Sequence, residues 1–244
     1  IAVLRADDRG VGSSEGSDTL DKVTTFDFAD DVRAQIAYLR TRADIDPSRI
    51  SIIGHSEGGV IAPLVASTDP RLAAIVLMAG TAKMGEDVLR FQLNYEAEHN
   101  PKLTEEERAK ARAQTESFIR AIKENGDVSK YPAILRGLSS PWGRAFLSYD
   151  PLPTMRKVRQ PVLILQGALD QQVTAEQAGM LEEAARKGGN KDITVRVFPN
   201  LNHLFLPAKT GAESEYTRLE TLKLSDDVLS AIADWLQIKL KVGK

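Results

Sequence analysis

The stretch Ile50 to Val60 constrains this chain more than any other. Ile50 to Ile53 is a short apolar run of the kind that forms a buried strand. It breaks into Gly54-His55-Ser56-Glu57-Gly58-Gly59, and then Val60, Ile61, Leu64 and Val65 resume with a helical spacing. A strand, a tight turn and a helix therefore follow one another within a few residues, with a serine at the apex. Such a turn holds its central residue in strained backbone geometry, and glycines two positions either side leave room for the chain to pass. The following helix aims its N-terminal N–H groups and partial positive charge at the serine, where a developing oxyanion would be favoured. The strand and helix separate this arrangement from a chance Gly-x-Ser-x-Gly match.

The elements around this turn alternate. Ile1 to Ala6 reads as a strand, Phe26 to Arg42 as an amphipathic helix, and Ala73 to Ala79 as a further strand after the turn's helix. Pro161 to Gln166 and Ile193 to Phe198 complete five strand-like runs, with a helix between them that opens at Thr174-x-x-Gln177, a capping-box pattern, and stops at Gly188-Gly189. An amphipathic helix over Asp226–Leu240 closes the chain, after a long polar segment from Leu204 to Leu224. Alternation of this kind implies an α/β fold, a mostly parallel sheet flanked by helices. From Thr81 to Pro153 no strand run occurs. Glu86–His99 and Thr104–Asn125 are charged and helical in period, and Thr104 followed by three glutamates marks a helix start. We therefore expect a core formed by 1–80 and 154–244, and a helical cap insertion over 81–153. Because the chain opens directly on a strand pattern, the expected core lacks an N-terminal part.

Composition excludes several classes. A net charge of −2 gives no electrostatic footprint for nucleic acid or an anionic membrane surface. No apolar run approaches the length of a membrane span. Cysteine is absent, which rules out disulfides, thiolate zinc sites and a cysteine nucleophile. Three scattered histidines form no metal-ligand cluster, so no metal and no cofactor is expected. Gly10-Val11-Gly12 lacks the Lys-Ser/Thr and the helix of a phosphate loop. Asp8 and Arg9 are expected to stiffen that segment instead. Compartment and oligomeric state are not written in the sequence.

A serine needs a base within hydrogen-bond reach, and the base an orienting partner. His55 adjoins Ser56, where side chains diverge, and is expected to pack beside the turn. His99 ends a charged helix and reads as a solvated cap. His203 follows the last strand, at the sheet edge where Ser56 falls, and is the expected base. For the acid, Asp170 lies just beyond the Pro161–Gln166 strand; Asp150 sits at the base of the insertion, and Asp192 precedes its strand at the opposite end. Trp142, Phe146 and Tyr149 either wall an acyl pocket or anchor the insertion by packing.

The Gly54–Gly59 turn, the Asp7–Ser13 loop, the Gly167–Val173 turn and Asn202-His203 together resemble the α/β-hydrolase superfamily. The likeness is to bacterial serine esterases akin to dienelactone-hydrolase and acylaminoacyl-peptidase-like proteins. The order Ser, Asp, His is that superfamily's order. The resemblance implies Ser56 as nucleophile, His203 as base, Asp170 as acid and the Glu57 backbone N–H as one oxyanion donor, acting on a small carboxylic ester. It also implies alternatives: a peptidase or acylaminoacyl hydrolase, or a non-catalytic binding domain. In the family a second oxyanion donor comes from a loop after an earlier strand, which this chain does not show. An N-terminal segment or a second chain is expected to supply it.

Overall fold

A computed structural model describes residues 1–219 and 222–242. In chain order the elements are α1 (Thr25–Thr41), β1 (Ser51–His55), α2 (Gly58–Ala66), β2 (Ala74–Met78), α3 (Gly85–Glu98), α4 (Glu105–Lys123), α5 (Ala133–Arg136), α6 (Pro141–Ser148), α7 (Leu152–Met155), β3 (Val162–Gly167), α8 (Glu176–Lys187), β4 (Ile193–Phe198) and α9 (Asp226–Lys239). Short 3-10 turns occupy Ser17–Thr19, Gly137–Ser139 and Glu213–Arg218. The chain divides into two compact units: Ile1, 29–83 and 150–244 in one, 2–28 and 84–149 in the other.

The first unit holds the sheet, whose four strands are all parallel and run in the order β1-β2-β3-β4. The two central strands are the most apolar, and every residue of β2 and β3 is buried. Alternation along them sends side chains to opposite faces. Ile75, Leu77, Val162 and Ile164 meet Ile36, Ala62, Val65, Met155 and Leu181 on one side. Val76, Met78, Leu163 and Leu165 meet Val228, Trp235 and Leu236 of α9 on the other. A parallel sheet covered on both faces is the arrangement that the unbroken apolar runs anticipate. All four strands point their carboxyl ends the same way, so the loops after β1, β3 and β4 share one edge.

The second unit packs Leu89 of α3, Phe118, Ile119 and Ile122 of α4, and Leu147 of α6 around a small apolar cluster. Thr104 caps α4 as its sequence suggests: its hydroxyl accepts the Glu107 N–H, and the Glu107 carboxylate accepts from the Thr104 N–H at 2.8 Å.

Three expectations are corrected. Ile1–Ala6 forms no strand; Ile1, Val3 and Leu4 are 63%, 81% and 42% exposed. An apolar run becomes a strand only when a neighbour accepts its ladder, and among the described residues the sheet has four strands, not five. Thr174 does not cap α8. The N-cap is Ala175, and the Gln177 side chain is shared: its Nε2 keeps a long bond of 3.4 Å to the Thr174 hydroxyl, while its Oε1 accepts from the Thr81 hydroxyl and the backbone N–H groups of Ala82 and Lys83. Tertiary donors outcompeted the local one. In the Asp7–Ser13 loop Arg9 donates to the Asp27 carbonyl at 3.4 Å, as expected of it, but it is Asp7 and not Asp8 that stiffens the turn, accepting from the Ser13 N–H at 3.1 Å. Of the polar stretch Leu204–Leu224, residues 220 and 221 lie outside the described residues.

Candidate active site

Ser56 has φ +55°, a left-handed conformation costly for a residue with a Cβ. It is held there by its neighbours. The Ser56 N–H donates to the Met78 carbonyl at 2.9 Å, the Gly59 N–H donates to the Ser56 carbonyl at 2.8 Å, and α2 starts at Gly58. A Cβ on Gly54 would stand 1.9 Å from the Gly58 carbonyl oxygen, so only glycine fits there. Gly58 is different: a Cβ would meet nothing within 4 Å. The second steric requirement falls on Gly59, whose Cβ would lie 2.6 Å from the Gly80 Cα. The turn therefore needs glycine at 54 and 59, whereas the sequence pattern draws the eye to 54 and 58. Glu57 is the N-cap of α2.

Asp170 and His203 meet at the same edge. His203 Nδ1 lies 2.9 Å from Asp170 Oδ2, and their side chains are 4% and 0% exposed. A carboxylate can only accept, so this bond places the proton on Nδ1 and leaves Nε2 as the acceptor face. Gly167 permits the approach of the two loops. A Cβ there would stand 2.3 Å from the Leu201 carbonyl, while the Leu169 N–H donates to that same carbonyl at 3.0 Å. Asn202 shapes the histidine loop, its Oδ1 accepting the backbone N–H groups of Leu204 and Leu206, each at 3.0 Å. Asp170 Oδ1 accepts the N–H groups of Gln172 and Val173, each at 2.8 Å. Nearby, Tyr216 accepts from Gln172 Nε2 at 3.0 Å, and its pKa is pushed up to about 12 by burial first, with the Asp170 charge adding to it.

Ser56 reaches this pair through its neighbour. His55 Nε2 is 2.8 Å from the His203 carbonyl, and the two imidazole rings are 4.8 Å apart. His55 therefore does more than pack beside the turn: it ties β1 to the loop carrying His203. Part of its ring is open to solvent, yet lost hydration against His203 and Phe205 holds its pKa below the ordinary histidine value. Among the described residues no hydrogen bond joins Ser56 directly to His203; such contacts in unliganded sites often tighten only with substrate bound. His99 behaves as the sequence implies, its Nδ1 at 2.9 Å from the Tyr95 carbonyl at the end of α3. Asp192 pairs with Lys239 at 2.6 Å.

Residues 1–208 match the serine aminopeptidase, S33 family. The chain belongs to that family. It is 26% identical to esterase EstD of Thermotoga maritima over 211 residues, which cover 85% of this chain and 47% of EstD. The chain thus spans about half the length of that curated relative. Solved structures with the same fold include an esterase of Pyrococcus furiosus (TM-score 0.56, 17% identity, 94% of this chain and 66% of that one). An acylaminoacyl peptidase of Pyrococcus horikoshii also matches (TM-score 0.55, 17% identity, 97% and 32%), as does a dienelactone hydrolase from Klebsiella pneumoniae (TM-score 0.52, 16% identity, 91% and 64%). The fold of this S33 family member is that of the α/β-hydrolases.

The aromatic residues of the insertion lie in the helical unit and have partners within it. Trp142 and Phe146 stack at 5.8 Å, and Tyr149 meets Phe26 edge-on at 5.7 Å. These contacts favour packing over an acyl-pocket wall. Among the described residues no three His, Asp or Glu side chains group closely enough to hold a metal, and no helix is long and apolar enough to cross a membrane. The features the sequence did not disclose are His55 as a tie to His203, Asn202 as the clasp of its loop, and Gln166 as a donor to Asp170.

Proposed function

We propose that this S33 family member hydrolyses small carboxylic esters through an acyl-enzyme on Ser56. The observation that carries the reading is the buried Asp170–His203 bond of 2.9 Å, at the sheet edge where strained Ser56 tops β1. Serine becomes nucleophilic when a neighbouring base takes its proton. His203 Nε2, left unprotonated by the Nδ1 bond to Asp170, is the base, and it returns the proton to the departing alcohol. Water then attacks the acyl carbon with the same base, releasing acid and free serine. Asp170 orients the ring and stabilises the imidazolium as it forms. The oxyanion forms at the head of α2, where the Glu57 N–H donates.

One donor is half of an oxyanion hole, and losing a donor typically costs about 100- to 1000-fold in rate. β1 is an edge strand, and Ile53 upon it is 46% exposed. A segment laid along that edge, from the same polypeptide or from a second chain, would bring a further backbone N–H to the loop above Ser56.

A fluorophosphonate should label Ser56 and fail to label Ser56→Ala. A wild-type protein that never labels, with or without such a segment, ends this reading. The family's name and the peptidase neighbour favour a second reading, cleavage of aminoacyl amides. An amide leaving group needs firmer protonation by His203 than an alkoxide does. Faster turnover of an aminoacyl arylamide than of a short-chain aryl ester would select it.

A further inference from the structure

Gln166 is the last side chain before the glycine that ends β3, and it is fully buried. Its Nε2 donates to two groups at once: Asp170 Oδ2 at 2.7 Å and the Val173 carbonyl at 2.8 Å. Both are acceptors only, so the amide orientation is fixed, with its NH2 toward them. Among the described residues the other end of the amide meets no partner: Gln166 Oε1 is buried without a hydrogen bond. A buried acceptor left alone is unfavourable, and a core that needed only volume would use methionine or leucine here. What the side chain contributes here is its NH2.

That NH2 completes the shell of Asp170. Oδ1 takes two backbone N–H groups, and Oδ2 takes His203 Nδ1 and Gln166 Nε2. The backbone pair fixes one oxygen but leaves the carboxylate plane free to tilt about it. Gln166, anchored on a strand, sets the second oxygen. We propose that Gln166 is a positioning residue that locks the Asp170 carboxylate, and through it the ring of His203, in register with Ser56. This rests on the hydrolase reading above for its consequence in rate, although not for its geometry. Gln166 also shares the negative charge of Oδ2. Without it, the whole of that charge falls on His203, the imidazolium is held more tightly, and the base gives up its proton at higher pH.

The test uses the full chain and the variants Gln166→Met and Gln166→Glu, with fluorophosphonate labelling of Ser56 followed against pH. A second readout is the NMR signal of the His203 Nδ1–H, which needs no catalysis. For Gln166→Met the labelling rate should fall about 10- to 100-fold, the size expected for a hydrogen bond to a charged group. Its acid limb should move to higher pH, and the Nδ1–H signal should shift. Gln166→Glu keeps the shape and places a second carboxyl against Asp170. The two should share one proton, so labelling should collapse above the pH at which that proton leaves. If Gln166→Met does not fold, Gln166→Glu alone decides. Variants whose pH profile and Nδ1–H signal match wild type overturn the proposal, whatever their melting temperatures. A shifted signal in protein that never labels supports the positioning role and removes the hydrolase reading.

Discussion

The two sides of the candidate site are held by different kinds of force. On the Asp170–His203 side, the side chains are almost fully buried and each polar atom at the contact is fixed by hydrogen bonds. On the Ser56 side, the strand is at the sheet's edge, and the serine's place follows from backbone geometry that bulk would forbid. Hydrogen bonds can be removed one at a time, and the loss is graded. A steric exclusion has no intermediate: the turn either closes around Gly54 or it does not. Leaving aside the reacting side chains themselves, the groups that support the first side should respond to mutation in activity before stability, and the turn glycines of the second in stability before activity.

The largest effects belong to the reacting groups. Ser56→Ala and His203→Ala should each lower ester turnover by about 10^4- to 10^6-fold, and Asp170→Asn by about 10^4-fold through the wrong imidazole tautomer. Ser56→Ala should melt at or above the wild-type temperature, because it removes no buried partner. A turnover loss under about tenfold for His203→Ala would break the assignment of the acid–base side.

Next comes the contrast of two glycines in one turn. Gly54→Ala forces a Cβ to 1.9 Å from the Gly58 carbonyl and should destabilise by more than about 3 kcal/mol, visible as loss of soluble, cooperatively melting protein. Gly58→Ala meets open space at the start of α2, and alanine is the better helix former by about 1 kcal/mol. Its melting temperature should equal or exceed the wild type. Equal losses in the two variants would refute the steric account of the turn.

The same contrast explains what the sequence could disclose. Apolar runs such as Ala74–Met78 and Val162–Gln166 specify central strands because burial on both faces leaves no other use for them. Asp170 and His203 could be reached by asking which carboxylate and which imidazole follow a strand at its carboxyl end. Ile1–Ala6 misled, because local apolarity says nothing about whether a neighbouring strand is present to pair with it. Gln177 misled for a related reason: a capping pattern is local, while the three donors that captured its oxygen come from the loop after β2. Gln166 and Asn202 were illegible because a buried amide has no periodicity to mark it. Their partners lie seven residues away or fewer, yet only the turn geometry brings them into reach.

Asn202→Ala tests the clasp on the histidine loop. It leaves the Leu204 and Leu206 N–H groups without their acceptor, the second of them buried, at a cost of about 1–3 kcal/mol. Phe205 within that loop has φ +56°, so the freed loop should relax toward ordinary backbone and carry His203 with it. Turnover should fall by more than the stability loss alone explains, about tenfold at a temperature where the variant remains folded. Turnover equal to wild type under those conditions would show that burial alone holds His203 in place.

The smallest effect lies beyond the histidine, where Glu215 closes its own loop. Its carboxylate accepts the N–H groups of Lys209, Thr210 and Gly211 and the Thr210 hydroxyl, at 2.8 to 2.9 Å. Partial burial pushes its pKa up, but these donors outweigh it and hold the value at about 2, against 4.5 for a free glutamate. A depressed carboxylate contributes stability that is complete above the unfolded-state value and is lost as pH falls through the folded one. The loop's contribution is thus present at neutral pH and fades between about 4.5 and about 2. Glu215→Gln should lower the melting temperature by about 2 °C at neutral pH, a size set by the loop's half-exposed position. That gap should narrow as both proteins are melted at progressively lower pH. A gap that stays constant into acid would mean that Glu215 holds the loop by shape, and that charge does nothing there.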